Sequence, residues 1–187
     1  RIDELQGERL RSVDPDGSIA SAIPTDHVLG CVVHGSAQQI EPGLVEETMW
    51  QQVIIGEPFG GSSARAERLL TLLTDAGCAA VSSTDVRSEI WYKLWGNMTM
   101  NPVSALTGAT IDQILEDPLV REFCSAAMRE AAEVGARVGC PIEQTPEDRH
   151  AVTVKLGAFK TSMLQDVEAG RQLELDAIVT AVHEIAR

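Results

Sequence analysis

Positive charge is scarce in this chain: 15 lysines and arginines stand against 28 aspartates and glutamates in 187 residues, a formal net charge of -13. Nucleic acid and anionic membrane both require a basic face that displaces counterions, so neither is expected as a partner. Long hydrophobic runs are lacking too. None approaches the roughly 18 residues of a membrane span, and no signal peptide is read. Cys31, Cys78, Cys124 and Cys140 include no CxxC pair, and His27, His34, His150 and His183 do not fall at metal-ligand spacings. No disulfide framework or metal site is therefore expected, and the cysteines read as reduced packing residues of a cytoplasmic protein. No GxGxxG loop occurs, and GEPFGG has neither that spacing nor the Lys-Ser or Lys-Thr of a phosphate-binding loop, which leaves a tight turn. Internal repeats and low-complexity segments are absent.

A hydrophobic share of 44% with 23% charged residues is that of a soluble globular protein, and this length buries roughly 70% of the extended surface without staples. Because the chain opens on Arg1 and stops within a helical pattern, it is expected to be a piece of a longer protein. Residues 1–27 carry turn signals at DPDG and IPTD and read as a loop or short hairpin. From Val28, VLGCVVHGSAQQI reads as a buried strand. A break at Pro42-Gly43 follows, then a second strand in QQVIIGE. A helix capped by Ser62 or Ser63 and ending at Gly77 leads to a short strand, CAAVSS. Strand, helix and strand suggest the trailing half of an α/β sheet. After Thr84 only helices are expected: one capped by Thr84 or Asp85, one opened by Asp117 and Pro118 and closed by Gly139, one opened by Thr145 and Pro146, and a last one from about Arg171. That last helix should turn Leu173, Ala177, Ile178, Ala181 and Ile185 to the core.

The stretch RSEIWYKLWGNMTMNPVSAL, residues 87–106, concentrates the polar chemistry. At about 100° per residue, Trp91, Leu94, Trp95, Met98, Pro102 and Ala105 share one side of a helix and Lys93, Asn97, Asn101 and Ser104 the other. Lys93, Asn97 and Asn101 stack one turn apart along a single stripe. Pro102 cannot donate to the carbonyl of Met98, so a kink or loosened turn is expected beside Asn101. A solvated lysine among surface asparagines is the plain alternative. Against it, two asparagines one turn apart between tryptophans and methionines are poor helix-interior choices without a task.

WYKLWGNMTMNPVSAL resembles the catalytic helix of the ketopantoate reductases (2-dehydropantoate 2-reductases), with its W-x-K-L-x-x-N-x-x-x-N-P pattern. KTSMLQDVEAGRQLELDA, residues 160–177, is similar to their second signature: Ser162 to Asp166 match directly, Arg171, Glu174 and Asp176 keep the spacing, and Thr161 and Leu173 depart mildly. For SMLQD alone, a helix cap with its first turn is an equal reading. The resemblance reaches back to about Leu10 and implies an α+β chain. Residues 1–84 would be the trailing part of a Rossmann-type α/β cofactor domain, and residues 85–187 an all-α substrate domain like the C-terminal domain of 6-phosphogluconate dehydrogenase. Family members begin with a βαβ unit whose GxGxxG loop cradles the cofactor diphosphate. Lacking that loop, this chain is expected to bind NADPH weakly or not at all. Where some members place a further substrate-binding Asn, it has Ile111 and Asp112.

The resemblance implies NADPH as cofactor and a small 2-oxo acid as substrate. Lys93 would be the general acid, with its pKa brought down from about 10.4 by burial. Asn97 and Asn101 would hold the substrate's oxygens, and Ser162 its carboxylate. Glu174 would lie at the junction of cofactor and substrate, and Ser36 would contact the cofactor. The activity implied is reduction of 2-dehydropantoate to pantoate in pantothenate and coenzyme A biosynthesis, with a homodimer as a possible assembly. Two alternatives stay open: a related 2-oxo-acid reductase with another substrate, and a non-catalytic helical dimerisation module.

Overall fold

The computed structural model describes residues 7–187. Its contacts divide the chain into two compact units. One takes in Ile23–Ile90, and the other takes in Trp91–Arg187 together with the described residues up to Ala22.

The first unit is built on a three-stranded sheet in the order β1 (Gly30–Glu41), β2 (Leu44–Gly56), β3 (Ala80–Ser83). β1 and β2 form an antiparallel hairpin whose register shifts three times, between His34 and Gly35, Ser36 and Ala37, and Gln39 and Glu41. Pro42 and Gly43 make its turn. Gly43 sits at φ +85°, the backbone region that the third residue of such a turn requires and that only glycine adopts freely. β2 therefore begins seven residues before Gln51, where the sequence placed it. β2 continues through an α-helix, Ala64–Asp75, to β3, which pairs parallel with Val53–Gly56. The expected strand, helix and strand are thus present. Ser63 accepts from the Ala66 N–H at 3.2 Å to start the helix, and Gly77 at φ +85° follows its end. β1 is not the buried strand expected: only Val32 in it is buried. Because β3 covers β2 only from Val53 to Gly56, the outer hairpin has no third strand among the described residues, and Ile40, Leu44, Val45 and Met49 are exposed.

Residues 7–27 hold no hairpin. They form α1 (Ser18–Ala22) and a 3-10 turn (Thr25–His27), with the Ala64–Asp75 helix becoming α2 in chain order. The Asp14 carboxylate accepts from the Ile19 and Ala20 N–H groups, each at 3.1 Å. Glu184, near the far end of the chain, accepts from the Arg11 and Ser12 N–H groups at 2.8 and 3.0 Å.

Beyond Ser83 there is no further strand among the described residues. The helices are α3 (Val86–Thr107), α4 (Ile111–Glu116), α5 (Pro118–Arg137), α6 (Pro146–Thr153), α7 (Ser162–Glu168) and α8 (Ala181–Ile185), the last continuing a π-helical turn at Asp176–Thr180. The starts follow their signals. The Ser88 N–H reaches the Asp85 carboxylate at 3.3 Å, Asp117 accepts from Leu119 and Val120 ahead of Pro118, and Thr145 and Asp148 form a reciprocal cap around Pro146. α4, which the sequence reading left out, starts at a Thr110 and Gln113 capping box and buries Ile111, Ile114 and Leu115. The last helix is shorter than expected, since residues 171–174 are non-helical and Ala177 is exposed. Ala181 and Val182 are buried in it, and Ile185, as expected, packs half-buried against the cluster of Trp91, Cys140 and Val182. All four cysteines are free, Cys124 and Cys140 in the core, but Cys31 is exposed and so not a packing residue.

α3 is the axis of the helical unit and runs through Pro102 without interruption. Trp91 packs with Cys140 and Val182, Trp95 with Met128 and Ala131, and Met100 with α4 and Cys124. Each indole N–H finds a carbonyl on α5: Trp91 that of Ala131 at 3.3 Å, Trp95 that of Met128 at 2.7 Å. The helix has no single dry side. Asn101 and Ser104 are as buried as the tryptophans, Ser104 because its hydroxyl donates to the carbonyl of Ala109 at 2.7 Å.

Candidate functional site

A cleft of about 120 Å³ opens beside the middle of α3. Asn97 and Asn101 line it from two successive turns, so the polar stripe read from the sequence does reach a concavity. Met100, Ile111, Met128, Leu156 and Phe159 give it apolar walls, and Thr153, Thr161 and Arg149 complete the polar part. Asn101 is 7% exposed and Asn97 half-buried. An amide that loses water needs replacement partners, and each asparagine offers both donors and an acceptor to whatever occupies the space.

Lys93 lies one turn before Asn97 on the same stripe, half-buried, and is not among the residues lining this cleft. Ser162 is exposed at the first position of α7 and lines no part of it. Its neighbour Thr161 does, buried, while its hydroxyl caps α7 by accepting from the Leu164 N–H at 3.2 Å. Glu174 is exposed in the non-helical residues before the last helix. Ser36 sits at a bulge of β1 in the sheet unit, where its carbonyl accepts from the Thr48 hydroxyl at 3.2 Å.

Sequence reasoning missed Arg149. It is half-buried on α6, its Nη1 donates to the Tyr92 hydroxyl at 3.0 Å, and its Cζ lies 4.8 Å from the centre of the Tyr92 ring. The Tyr92 hydroxyl in turn donates to Gln144 Oε1 at 2.8 Å. The Nε of Arg149 is buried with no partner. A guanidinium carries no local signature in sequence, and Tyr92 is 57 residues away.

Beside it, His150 and Ser125 are both about 1% exposed, with Nε2 and Oγ 2.9 Å apart. Burial and then the nearby Arg121 hold the His150 pKa below its ordinary value. Although a Ser and His pair suggests hydrolysis, no substrate reaches atoms this deep, so the pair joins α5 to α6. The Cys124 thiol is likewise inert at neutral pH, pushed up to about 11 by burial.

In the sheet unit the GEPFGG segment is a turn, as expected. The Gly60 N–H donates to the Glu57 carbonyl at 2.9 Å and the Gly61 N–H to that of Thr84 at 2.8 Å, so neither points at a ligand. The Glu57 carboxylate, held down to about 2 by Arg65 and then Ser63, fastens the turn to α2. No group of acids, cysteines and histidines able to hold a metal occurs among the described residues. No helix among them is long and apolar enough to cross a membrane.

Residues 85–187 match the family described as ketopantoate reductase PanE/ApbA C terminal. The 2-dehydropantoate 2-reductase of Mesorhizobium japonicum is 40% identical over 183 residues, 98% of this chain and 56% of that protein. A crystal structure from Ralstonia solanacearum MolK2, of a protein provisionally assigned as a ketopantoate reductase, superposes with a TM-score of 0.93. It is 56% identical and covers 97% of this chain and 55% of its own. The 2-dehydropantoate 2-reductase structure from Methylococcus capsulatus gives 0.82 at 29% identity, over 93% and 56%. The chain spans about half the length of the curated relatives it matches.

Proposed function

The chain belongs to the ketopantoate reductase family, and from that membership we propose that its activity is NADPH-dependent reduction of 2-dehydropantoate to pantoate. Residues 1–84 would serve as the remainder of a Rossmann-type cofactor domain and residues 85–187 as the substrate domain. The observation that carries this reading is that Asn97 and Asn101, both in the segment matched to the family, line one cleft beside the stripe that starts at Lys93.

When bound, the nicotinamide supplies a hydride to the ketone carbon. This chain's residues supply the rest. The Lys93 ammonium donates a proton to the ketone oxygen as negative charge builds there, leaving a neutral amine that solvent reprotonates, and the substrate ends as a 2-hydroxy acid. Asn97 and Asn101 orient the oxygens with fixed dipoles, at no reorganisation cost during reaction. Ser162, Glu174 and Ser36 are the further contacts that family resemblance supplies outside the cleft. The glycine turn at 56–61 offers no diphosphate cradle, so tight cofactor binding is not expected of these residues alone. A cytoplasmic homodimer is part of the same proposal.

Turnover of the full-length enzyme with NADPH across several 2-oxo acids tests it. The expected result is a kcat/KM highest for 2-dehydropantoate. Faster turnover of another 2-oxo acid would place the protein with the related reductases, and no turnover of any would favour the non-catalytic helical module.

A further inference from the structure

The chain leaves the helical unit after Ala22 and re-enters it at Trp91, so residues 23–90 lie between two crossings in chain order. The second crossing is fixed by burial, because Trp91 packs with Cys140 and Val182. The first is preceded by residues 9–22, which group with the helical unit although they come before the sheet in sequence. One carboxylate fastens them there. Glu184 Oε1 accepts from the Arg11 N–H at 2.8 Å, and Oε2 accepts from the Ser12 N–H at 3.0 Å and the Ser12 hydroxyl at 2.8 Å. Among the described residues, no other group beyond residue 22 hydrogen-bonds to residues 9–22.

The segment carries its own internal bonds. The Val13 and Asp14 N–H groups donate to the Leu10 carbonyl at 3.3 and 3.0 Å, and the Asp14 carboxylate takes the Ile19 and Ala20 N–H groups. Arg9 Nη2 reaches the Pro15 carbonyl at 3.4 Å, and its guanidinium fills the space that a Cβ at Gly17 would need. A segment so joined, with one polar attachment, opens as a unit when that attachment is lost. The attachment is a strong one, since hydrogen bonds to an ionised acceptor exceed neutral ones. The Ser12 N–H, then the Arg11 N–H, then the Ser12 hydroxyl hold the Glu184 carboxyl below its ordinary value. On the same short helix, Val182 and Ile185 pack with Trp91. α8 therefore holds both points at which the chain passes between units.

We propose that Glu184 is the buckle of a strap, residues 9–22, that fixes the first crossing and so keeps the chain in the arrangement that binds substrate. Glu184 lines no part of the cleft and acts through the crossing, as a positioning residue. With the strap released, the crossing samples arrangements that bind nothing. Apparent affinity then falls with the fraction still competent, while the saturated enzyme turns over as before. The effect on substrate rests on the reductase reading; the buckle does not.

Trypsin cleavage after the exposed Arg9 and Arg11, located by mass spectrometry on the full-length enzyme, reads the strap. Steady-state kinetics with 2-dehydropantoate and NADPH read its consequence. Glu184→Gln keeps the size but replaces one acceptor oxygen with a donor. Cleavage faster by about fivefold or more is expected, because it tracks the open population. KM for 2-dehydropantoate should rise by about threefold or more, with kcat within about twofold of wild type. Glu122→Gln, which breaks an exposed pair with Arg129, should move neither. A smaller rise in cleavage overturns the buckle. Faster cleavage with a smaller rise in KM, or with kcat falling as far as KM rises, overturns the part of the crossing in binding. If the wild-type enzyme turns over no 2-oxo acid, the reductase reading fails and cleavage still decides the buckle. If circular dichroism shows Glu184→Gln unfolded, hydrogen exchange on the wild-type chain and kinetics of Ser12→Ala decide. The Arg11 and Ser12 amides should exchange together with those of Ile19 and Ala20, and KM should rise in Ser12→Ala. Unprotected amides overturn the buckle, and an unchanged KM overturns its effect on binding.

Discussion

The indole N–H of Trp95 donates to the backbone carbonyl of Met128 at 2.7 Å, both residues fully buried. This bond ties α3 to α5 at the height of the cleft, and it combines a large apolar side chain with a satisfied polar atom. Trp95→Phe removes the hydrogen bond and part of the ring. Destabilisation by about 1–3 kcal/mol is expected, read from the urea midpoint at unchanged m-value.

Gly135, about two turns further along α5, meets α3 at Trp91. A Cβ there would press on the Trp91 indole and lie 2.8 Å from the carbonyl of Cys140, backbone that cannot swing aside. Gly135→Ala should therefore cost about 1–3 kcal/mol by overpacking, despite alanine's better helix propensity. A variant as stable as wild type in thermal melts would show that α5 can shift away from Trp91.

His150 makes stability depend on pH. Burial lowers its folded pKa below the unfolded value near 6.5, so at pH below 6.5 the unfolded chain takes up a proton that the folded chain refuses. Its contribution is complete above pH 6.5 and is lost as pH falls from there through the folded pKa. In His150→Gln that part of the slope should vanish, so urea midpoints of the two proteins should converge between pH 6.5 and 5.

Lys93→Ala, in the full-length enzyme, removes an interaction made mainly as charge builds on the ketone oxygen. A fall in kcat of about 10²–10⁴ with cofactor affinity nearly unchanged is expected from steady-state kinetics. Asn97→Ala should raise KM at least as much as it lowers kcat, because a positioning amide also holds the ground state. Retention of more than about a tenth of wild-type kcat by Lys93→Ala would reject the general-acid role.

What the sequence determined by itself is the part of the structure written in short-range chemistry. Ser63, Asp117 before Pro118 and Thr145 before Pro146 each start the helix they signal, because a cap needs only its own next three residues. The β2, α2 and β3 order follows from a change of period along the chain, and the family from two motifs whose spacing survives in this sequence. Only the tertiary structure decided which faces were dry. β1 read as buried from its β-branched run, yet burial depends on a neighbouring layer, which the described residues do not supply to the outer hairpin. Asn101 and Ser104 read as an open polar side, yet the chain returns over them at Ala109 and Ile111. Arg149 reaches the cleft through Tyr92, 57 residues away, against a glycine on another helix. No window of sequence contains that arrangement, because it arises only when α3 and α6 pack and their side chains come within hydrogen-bonding distance.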